Sequence, residues 1–456
     1  MHNKTLTIFF SLLLLLLPPS YALASPLASP SQNEANLDFP NSITFRATLQ
    51  SDQPITSVTL EYGTQQLTCG QVIAKAFPQF TPAKTIQVEW TWDMRQSGSL
   101  PPGTSIWWRW RYSNAAGSET VSEEQTITWL DSTHPWQTLS EGKIRLRWYN
   151  QSENFARDLL TTAQKGLERN ASQAGLVPDA PIDLYIYAST DDMRQAVLYE
   201  PSWTGGMAFP EHNIVIIGIS PADLEWGRNA IVHEITHVLV GHLTFSCLGD
   251  VPTWLNEGLA VFSEGDLDPY SQNQLDKAIQ SNSLLSVRSL SGGFSEIADK
   301  ANLSYSQSYS LVKFLIETYG QGKMTQLLIA LRDGATVDEA LRQTYGFDVD
   351  GLEDAWRAAI HAAPRAAPPQ PTVQPTPTWV PTIVPISGAP LAVTPTPYII
   401  PTSSSQNPTP APAPSGPPLT LTLLLLTVCC VMGLLFGVIA LGIFLNLQRN
   451  KDGHHE

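Results

Sequence analysis

Two histidines and a glutamate are the residues of this chain whose spacing most clearly suits chemistry. They fall in Ile231-Val232-His233-Glu234-Ile235-Thr236-His237, with the histidines four residues apart. On a helix that spacing puts both imidazoles on one face, one turn from each other, where they can grip a single zinc ion. Glu234 between them is then placed to take a proton from a water at the metal. Trp254-Leu255-Asn256-Glu257-Gly258-Leu259-Ala260 follows, and its Glu257, twenty residues past His237, offers a third ligand. The chemistry on offer is hydrolysis of a peptide bond with Zn2+ as cofactor. A helix that merely carries two surface histidines fits less well. Ile231, Val232, Val238, Leu239 and Val240 flank the motif, so its polar groups belong to a crowded interior, where a bare carboxylate is costly without a cation.

Several elements must present these groups. Ile144–Tyr149 and Ile182–Tyr187 read as strands, with an amphipathic helix over Phe155–Leu176 between them and a short helix near Met193–Leu198 after them. Gly205-Gly206-Met207-Ala208 leads into another strand, Asn213–Gly218. Ser220-Pro221 opens a helix with Asp223 and Glu225 in its first turn, as the helix dipole favours, and this helix carries the motif to about Leu243. Beyond Glu257 helical patterns follow one another to Ala362. The expected order is a small mixed sheet, the histidine helix, then a helical half.

The flanking regions are of other kinds. Lys4, the apolar run Leu6–Leu17 and Ala22-Leu23-Ala24 form the three-part pattern of a secretory signal peptide over 1–24. Residues 25–38 read as a disordered lead-in. From 39 to 132, short alternating runs such as Ser42–Leu49 and Ser105–Tyr112 predict an all-β immunoglobulin/fibronectin-like sandwich, with its tryptophans in the core. The second domain spans 133–363. Half of the chain's 36 prolines lie in 364–418, so that stretch is an extended linker. Residues 419–448 carry no charge and are followed by Arg449 and Lys451, which predicts a C-terminal transmembrane helix with a cytoplasmic tail at 449–456. The expected location is the plasma membrane, single-pass type I, with the folded domains outside. Gly433 and Gly437 form a GxxxG pair that offers a homodimer contact through that helix. A net charge of −15 argues against a nucleic-acid partner and against attachment to anionic lipid by charge. Cys69 and Cys247 lie in different expected domains and read as buried thiols in preference to a bridge, while Cys429 and Cys430 sit in the apolar run.

His-Glu-Ile-Thr-His followed by Trp-Leu-Asn-Glu-Gly resembles the gluzincin metallopeptidases, the clan of thermolysin and the zinc aminopeptidases, and in particular the bacterial peptidase MA-like domain. The resemblance covers about 136–362. It implies an α+β, zincin-like metallopeptidase domain, with His233, His237 and Glu257 as metal ligands and Glu234 as general base. It further implies an oxyanion-steadying tyrosine at Tyr305, with Tyr309 one turn away as the alternative. An edge strand containing Gly206, Met207 and Ala208 would bind the peptide substrate. Val240 and Leu243 stand where the metzincin branch needs glycine and histidine, which excludes that branch. Ala208 stands where zinc aminopeptidases carry the glutamate that holds a substrate's amine, so the expectation is an endopeptidase. The competing expectation is a non-enzymatic cell-surface binding protein with a vestigial or structural zinc site. The intact Glu234 and the want of a fourth ligand speak against it.

Overall fold

The computed structural model describes residues 30–365 apart from 97, 200–203 and 296. The expected signal peptide, membrane helix and cytoplasmic tail, and all but the first residues of the linker, lie outside the described residues. Among the described residues, no helix is long and apolar enough to cross a membrane.

The N-terminal part is a β-sandwich. One sheet has the order β1 (Ser31–Asp38), β2 (Ser42–Gln50), β5 (Thr85–Asp93); the other runs β4 (Ala74–Ala76), β3 (Ile55–Thr64), β6 (Ser105–Asn114), β7 (Glu119–Val121), with β8 (Gln125–Thr128) also on β6. Alternation drives both sheets: Ile43, Phe45, Ala47 and Leu49 of β2 turn inward, as do Ile106, Trp108, Trp110 and Tyr112 of β6. Trp110 and Trp129 are fully buried, and an aromatic side chain of that size contributes about 4–6 kcal/mol of transfer free energy. The tryptophans do fill the core in part, yet Trp90 on β5 stays exposed. The lead-in expectation is corrected at Ser31–Asp38, which pairs antiparallel with β2. Its sequence, SQNEANLD, is polar because it is an edge strand; Ala35 and Leu37 pack on the core, and Asn33 Oδ1 accepts from the indoles of Trp108 and Trp110.

The second part opens with a mixed sheet of order β12 (Gly206–Phe209), β13 (Ile214–Gly218), β11 (Ile182–Tyr187), β10 (Ile144–Trp148), β9 (Gln137–Glu141). The pairs β10–β11 and β11–β13 are parallel, and β12 is an antiparallel edge strand on β13. Helix α1 (Glu153–Ala174) makes the crossover from β10 to β11, and the short α2 (Thr190–Ala196) follows β11. The long α3 (Leu224–Thr244) packs on α1 and on the sheet through Ile231, Ile235, Val238 and Leu239. Then come α4 (Thr253–Glu264), α5 (Pro269–Gln280), α6 (Ala298–Tyr319), α7 (Gln321–Arg332), α8 (Val337–Tyr345) and α9 (Val349–Ala359).

A buried polar pin fixes α3 against its neighbours. Asn170 of α1, fully buried, donates to Thr236 Oγ1 at 2.9 Å and accepts from Ser263 Oγ of α4 at 3.0 Å. Thr236 lies between the two histidines, so this contact sets how the motif faces α4. Gly258 allows the next approach, because a Cβ there would stand 2.4 Å from the Ser308 carbonyl oxygen of α6.

Sandwich and mixed sheet belong to one compact unit. Phe39, Leu130 and Trp136 pack on Tyr185, Tyr187 and Ile216. Cys69 and Cys247 form a disulfide across 178 residues, which corrects the expectation of two buried thiols. Each cysteine sits on a loop, and the two loops meet where the parts abut, a juxtaposition that no local pattern encodes.

Candidate metal centre and active site

Helix α3 supplies His233, Glu234 and His237, and α4 returns with Asn256, Glu257 and Glu264. Their faces meet because Trp254, Leu255 and Leu259 of α4 are buried in the same core as Ile235 and Leu239. His233 Nε2 and His237 Nε2 each lie 3.4 Å from Glu257 Oε2. One ligand atom from each of the three residues falls within 4.8 Å of the others. Two ligands on a tetrahedral zinc at about 2.0–2.1 Å stand about 3.3–3.4 Å apart, so the spacing fits that ion.

The far side of each imidazole is already engaged. His233 Nδ1–H donates to Glu264 Oε1 at 2.7 Å, and His237 Nδ1–H donates to Asn256 Oδ1 at 3.0 Å. That turns each Nε2 toward Glu257, the arrangement that metal-binding histidines use. Neither Asn256 nor Glu264 was assigned a role from sequence. Glu264 stands seven residues beyond Glu257 on the same helix face, and that two-turn spacing is the signal that could have found it.

The electrostatics of the bare cluster also ask for a cation. Burial pulls the His233 imidazolium down, but hydrogen bonds to Glu257 and Glu264 outweigh it and carry the group up to about 10. His237 is likewise raised, burial being overcome by Glu257 and Glu234. Burial raises Glu257, yet the two imidazoles overcome it and bring the carboxyl down to about 2. Positive charge is thus favoured between these three groups, which a divalent ion supplies with neutral histidines. Glu234 is raised by its burial, with Glu257 and Glu264 pushing the same way against both histidines.

Glu234 packs against the edge strand. A Cβ on Gly206 would come within 2.9 Å of Glu234 Oε1, so glycine there leaves room for the carboxylate. Ala208, two residues along β12, lines a cleft of about 530 Å³ together with His237 and Glu257. On the other side of the cluster, His233, Glu264 and Tyr305 line a second cleft of similar volume, about 530 Å³. Met207, between them in sequence, packs into the cluster formed by Tyr185, Tyr187 and Ile216 instead.

The two candidate tyrosines part company. The Tyr305 ring of α6 lies 6.4 Å from that of His233, and burial, then the charges of Glu257 and Glu234, push its phenol upward, so it keeps its proton. Tyr309 is 4% exposed, packs on Phe262, and its hydroxyl is 3.2 Å from Asp266 Oδ1 and 3.3 Å from Lys313 Nζ. Tyr305 therefore faces the cluster and Tyr309 is occupied elsewhere. His242 is held by the Pro210 carbonyl at 2.8 Å and by Asp179 at 3.1 Å, away from the ligands.

Residues 162–362 match the model of the Peptidase MA superfamily. This stretch, which holds α3, α4 and α6, is similar to the Peptidase MA superfamily. The curated proteins gave no match. Among solved structures, a mutant of the M1 zinc metallopeptidase from Deinococcus radiodurans is 11% identical, with 73% of this chain and 92% of that chain covered at a TM-score of 0.29. Legionella pneumophila aminopeptidase A in complex with aspartic acid is 11% identical, with 69% and 47% covered, also at 0.29. BhCBM56 is 12% identical, with 21% of this chain and 88% of that chain covered at 0.16. Likeness at these scores carries no weight for shape or activity.

Proposed function

We propose that the protein is a zinc metallopeptidase, held at the plasma membrane with its folded part outside, that cleaves within peptide chains. The observation that carries the reading is the three-residue cluster of His233, His237 and Glu257, with Glu234 against the edge strand beside it. His233 Nε2, His237 Nε2 and a Glu257 oxygen would hold the ion. A bound zinc supplies Lewis acidity, lowering the pKa of a water to about 7 and polarising a carbonyl.

The remaining roles belong to the chain's own residues. The free edge of β12 pairs with an extended peptide by strand addition and brings its backbone past Glu234. Glu234 accepts the proton of the attacking water and passes it to the amine nitrogen as the C–N bond breaks. The Tyr305 hydroxyl donates to the oxyanion as it develops. Glu264 and Asn256 keep both imidazoles turned inward. Cleft space on both sides of the cluster, and alanine at position 208, support internal cleavage over release of single terminal residues. The uncharged stretch 419–448, followed by Arg449 and Lys451, supports the membrane anchor.

The test is cleavage of a generic unfolded protein by the purified full chain, with and without a chelator, followed by terminal labelling of the products. Internal cuts that vanish with the chelator and return with zinc are expected. Cleavage indifferent to the chelator contradicts the metal, and release of single N-terminal residues alone contradicts the endopeptidase assignment.

A further inference from the structure

Between β3 and β4 the sandwich extends an arm, residues 65–73, toward the peptidase domain. Leu67 N–H donates to the Glu211 carbonyl at 2.9 Å, just past the end of β12, and Cys69 is bonded to Cys247 in the loop after α3. Leu67, 36% exposed, thereby lines the same cleft as His237 and Glu257. Among the described residues, the arm is the one wall of that cleft that lies outside the second domain.

We infer that Leu67 is a specificity-determining residue. With Ala208, Val240, Phe245 and Val251 it forms a subsite for an apolar side chain of the substrate, next to the scissile bond, and the Cys69–Cys247 bridge holds that subsite together. The inference rests on the peptidase reading and adds a substrate class to it. Three observations carry it. The five residues are apolar and come from four separate segments that converge on the cleft. A peptide laid along β12 from Gly206, beside Glu234, toward Phe209 runs directly at the Leu67–Glu211 contact. Besides Glu257, the carboxylates in the lining are Glu211 and Asp250, with no lysine or arginine among the lining residues, so an acidic substrate side chain is repelled there.

The arm's attachment explains the covalent bridge. The arm's polar contacts with this face are two backbone groups, Leu67 N–H on the Glu211 carbonyl and the Gln65 backbone on His212, and such bonds contribute little against the freedom of an exposed loop. A bond between loops 178 residues apart in sequence keeps Leu67 at the cleft throughout turnover.

The test compares full-chain wild type, Leu67→Ala, Leu67→Asp and the double variant Cys69→Ser/Cys247→Ser on peptides that differ at one position beside the cleaved bond. Wild type should favour Leu or Phe over Ala and reject Glu. Leu67→Ala should lower kcat/KM for the Leu and Phe peptides by about tenfold and leave the Ala peptide nearly unchanged. Leu67→Asp should lose the apolar preference and favour Lys, and the double serine variant should flatten the profile in the same sense as Leu67→Ala. Binding supplies a second readout: fluorescent versions of the peptides should rank in the same order on Glu234→Gln protein by anisotropy, and lose that ranking when Leu67→Ala is added. Leu67 is half-exposed, so its variants test the idea even where the cysteine variant fails to fold. Folded Leu67 variants with the wild-type profile overturn the subsite while leaving the peptidase reading intact. Zinc-loaded wild type that cleaves none of the peptides, nor an unfolded protein, overturns both.

Discussion

Glu61 and Glu257 both face basic groups, and they are held differently. Glu61 of the sandwich, 2% exposed, lies 2.7 Å from Arg109 and 3.0 Å from Arg111, with Lys75 at 3.8 Å. Those partners carry fixed charge, so the carboxylate is complete as folded. Glu257 faces two imidazoles at 3.4 Å, groups whose charge is not fixed but depends on a proton that the neighbouring carboxylates hold on them. Their outer nitrogens are bound to Glu264 and Asn256, which adds a further negative charge. The sandwich carboxylate has cationic partners of fixed charge, whereas the helical carboxylates face imidazoles that supply positive charge only when protonated. That contrast marks the helical cluster, and not the sandwich cluster, as the candidate metal site, without reference to the motif.

The comparison breaks most visibly at the catalytic side. Tyr305→Phe should retain zinc and lose about 10²–10³-fold in turnover, the loss expected when one oxyanion donor goes. Steady-state cleavage of a fluorogenic peptide checks it, and the same change at Tyr309 should cost far less. Glu264→Gln comes next. It keeps a hydrogen-bond acceptor beside His233 but removes the charge, so zinc affinity should fall about 10–100-fold in competitive chelator titrations. The smallest effect sharpens the sandwich side: Glu61→Gln should cost about 1–3 kcal/mol in urea melts, because Arg109 and Arg111 lose their charged partner. Zinc content and turnover should not move. Hydrogen bonding to Arg111 outweighs burial and holds the Glu61 carboxyl below its ordinary 4.5. Its contribution to stability is therefore present above that value and is lost as the pH falls through the lower folded one. The Glu61→Gln protein should show a shallower loss of stability in that acid range than wild type.

The sequence carried the candidate metal ligands because their geometry is local. His233 and His237 share a helix face by spacing alone, and Glu257 stands within a helical run of apolar residues. Their partners were hidden for the opposite reason. Glu264 and Asn256 matter only once α4 lies across α3, and that crossing is set by Asn170 sixty-six residues before Thr236. Tyr305 and Tyr309 could not be separated by spacing, since only the packing of α6 turns one to His233 and the other to Asp266. The strand Ser31–Asp38 was missed because an edge strand with one face in water need not alternate in apolar residues. The disulfide and the Leu67 arm were illegible for a shared reason: both arise where the sandwich abuts the peptidase domain, and each loop taken alone carries no sign of the other.

The central claim is that the helical cluster holds a working metal and that Glu234 moves the proton. Glu234→Gln in the full chain tests it most directly, with zinc content measured by atomic emission and hydrolysis measured on the same preparation. The account predicts one zinc per chain, as in wild type, and a fall in hydrolysis of about 10²–10⁴-fold. A zinc-loaded Glu234→Gln protein that cleaves as fast as wild type would contradict it.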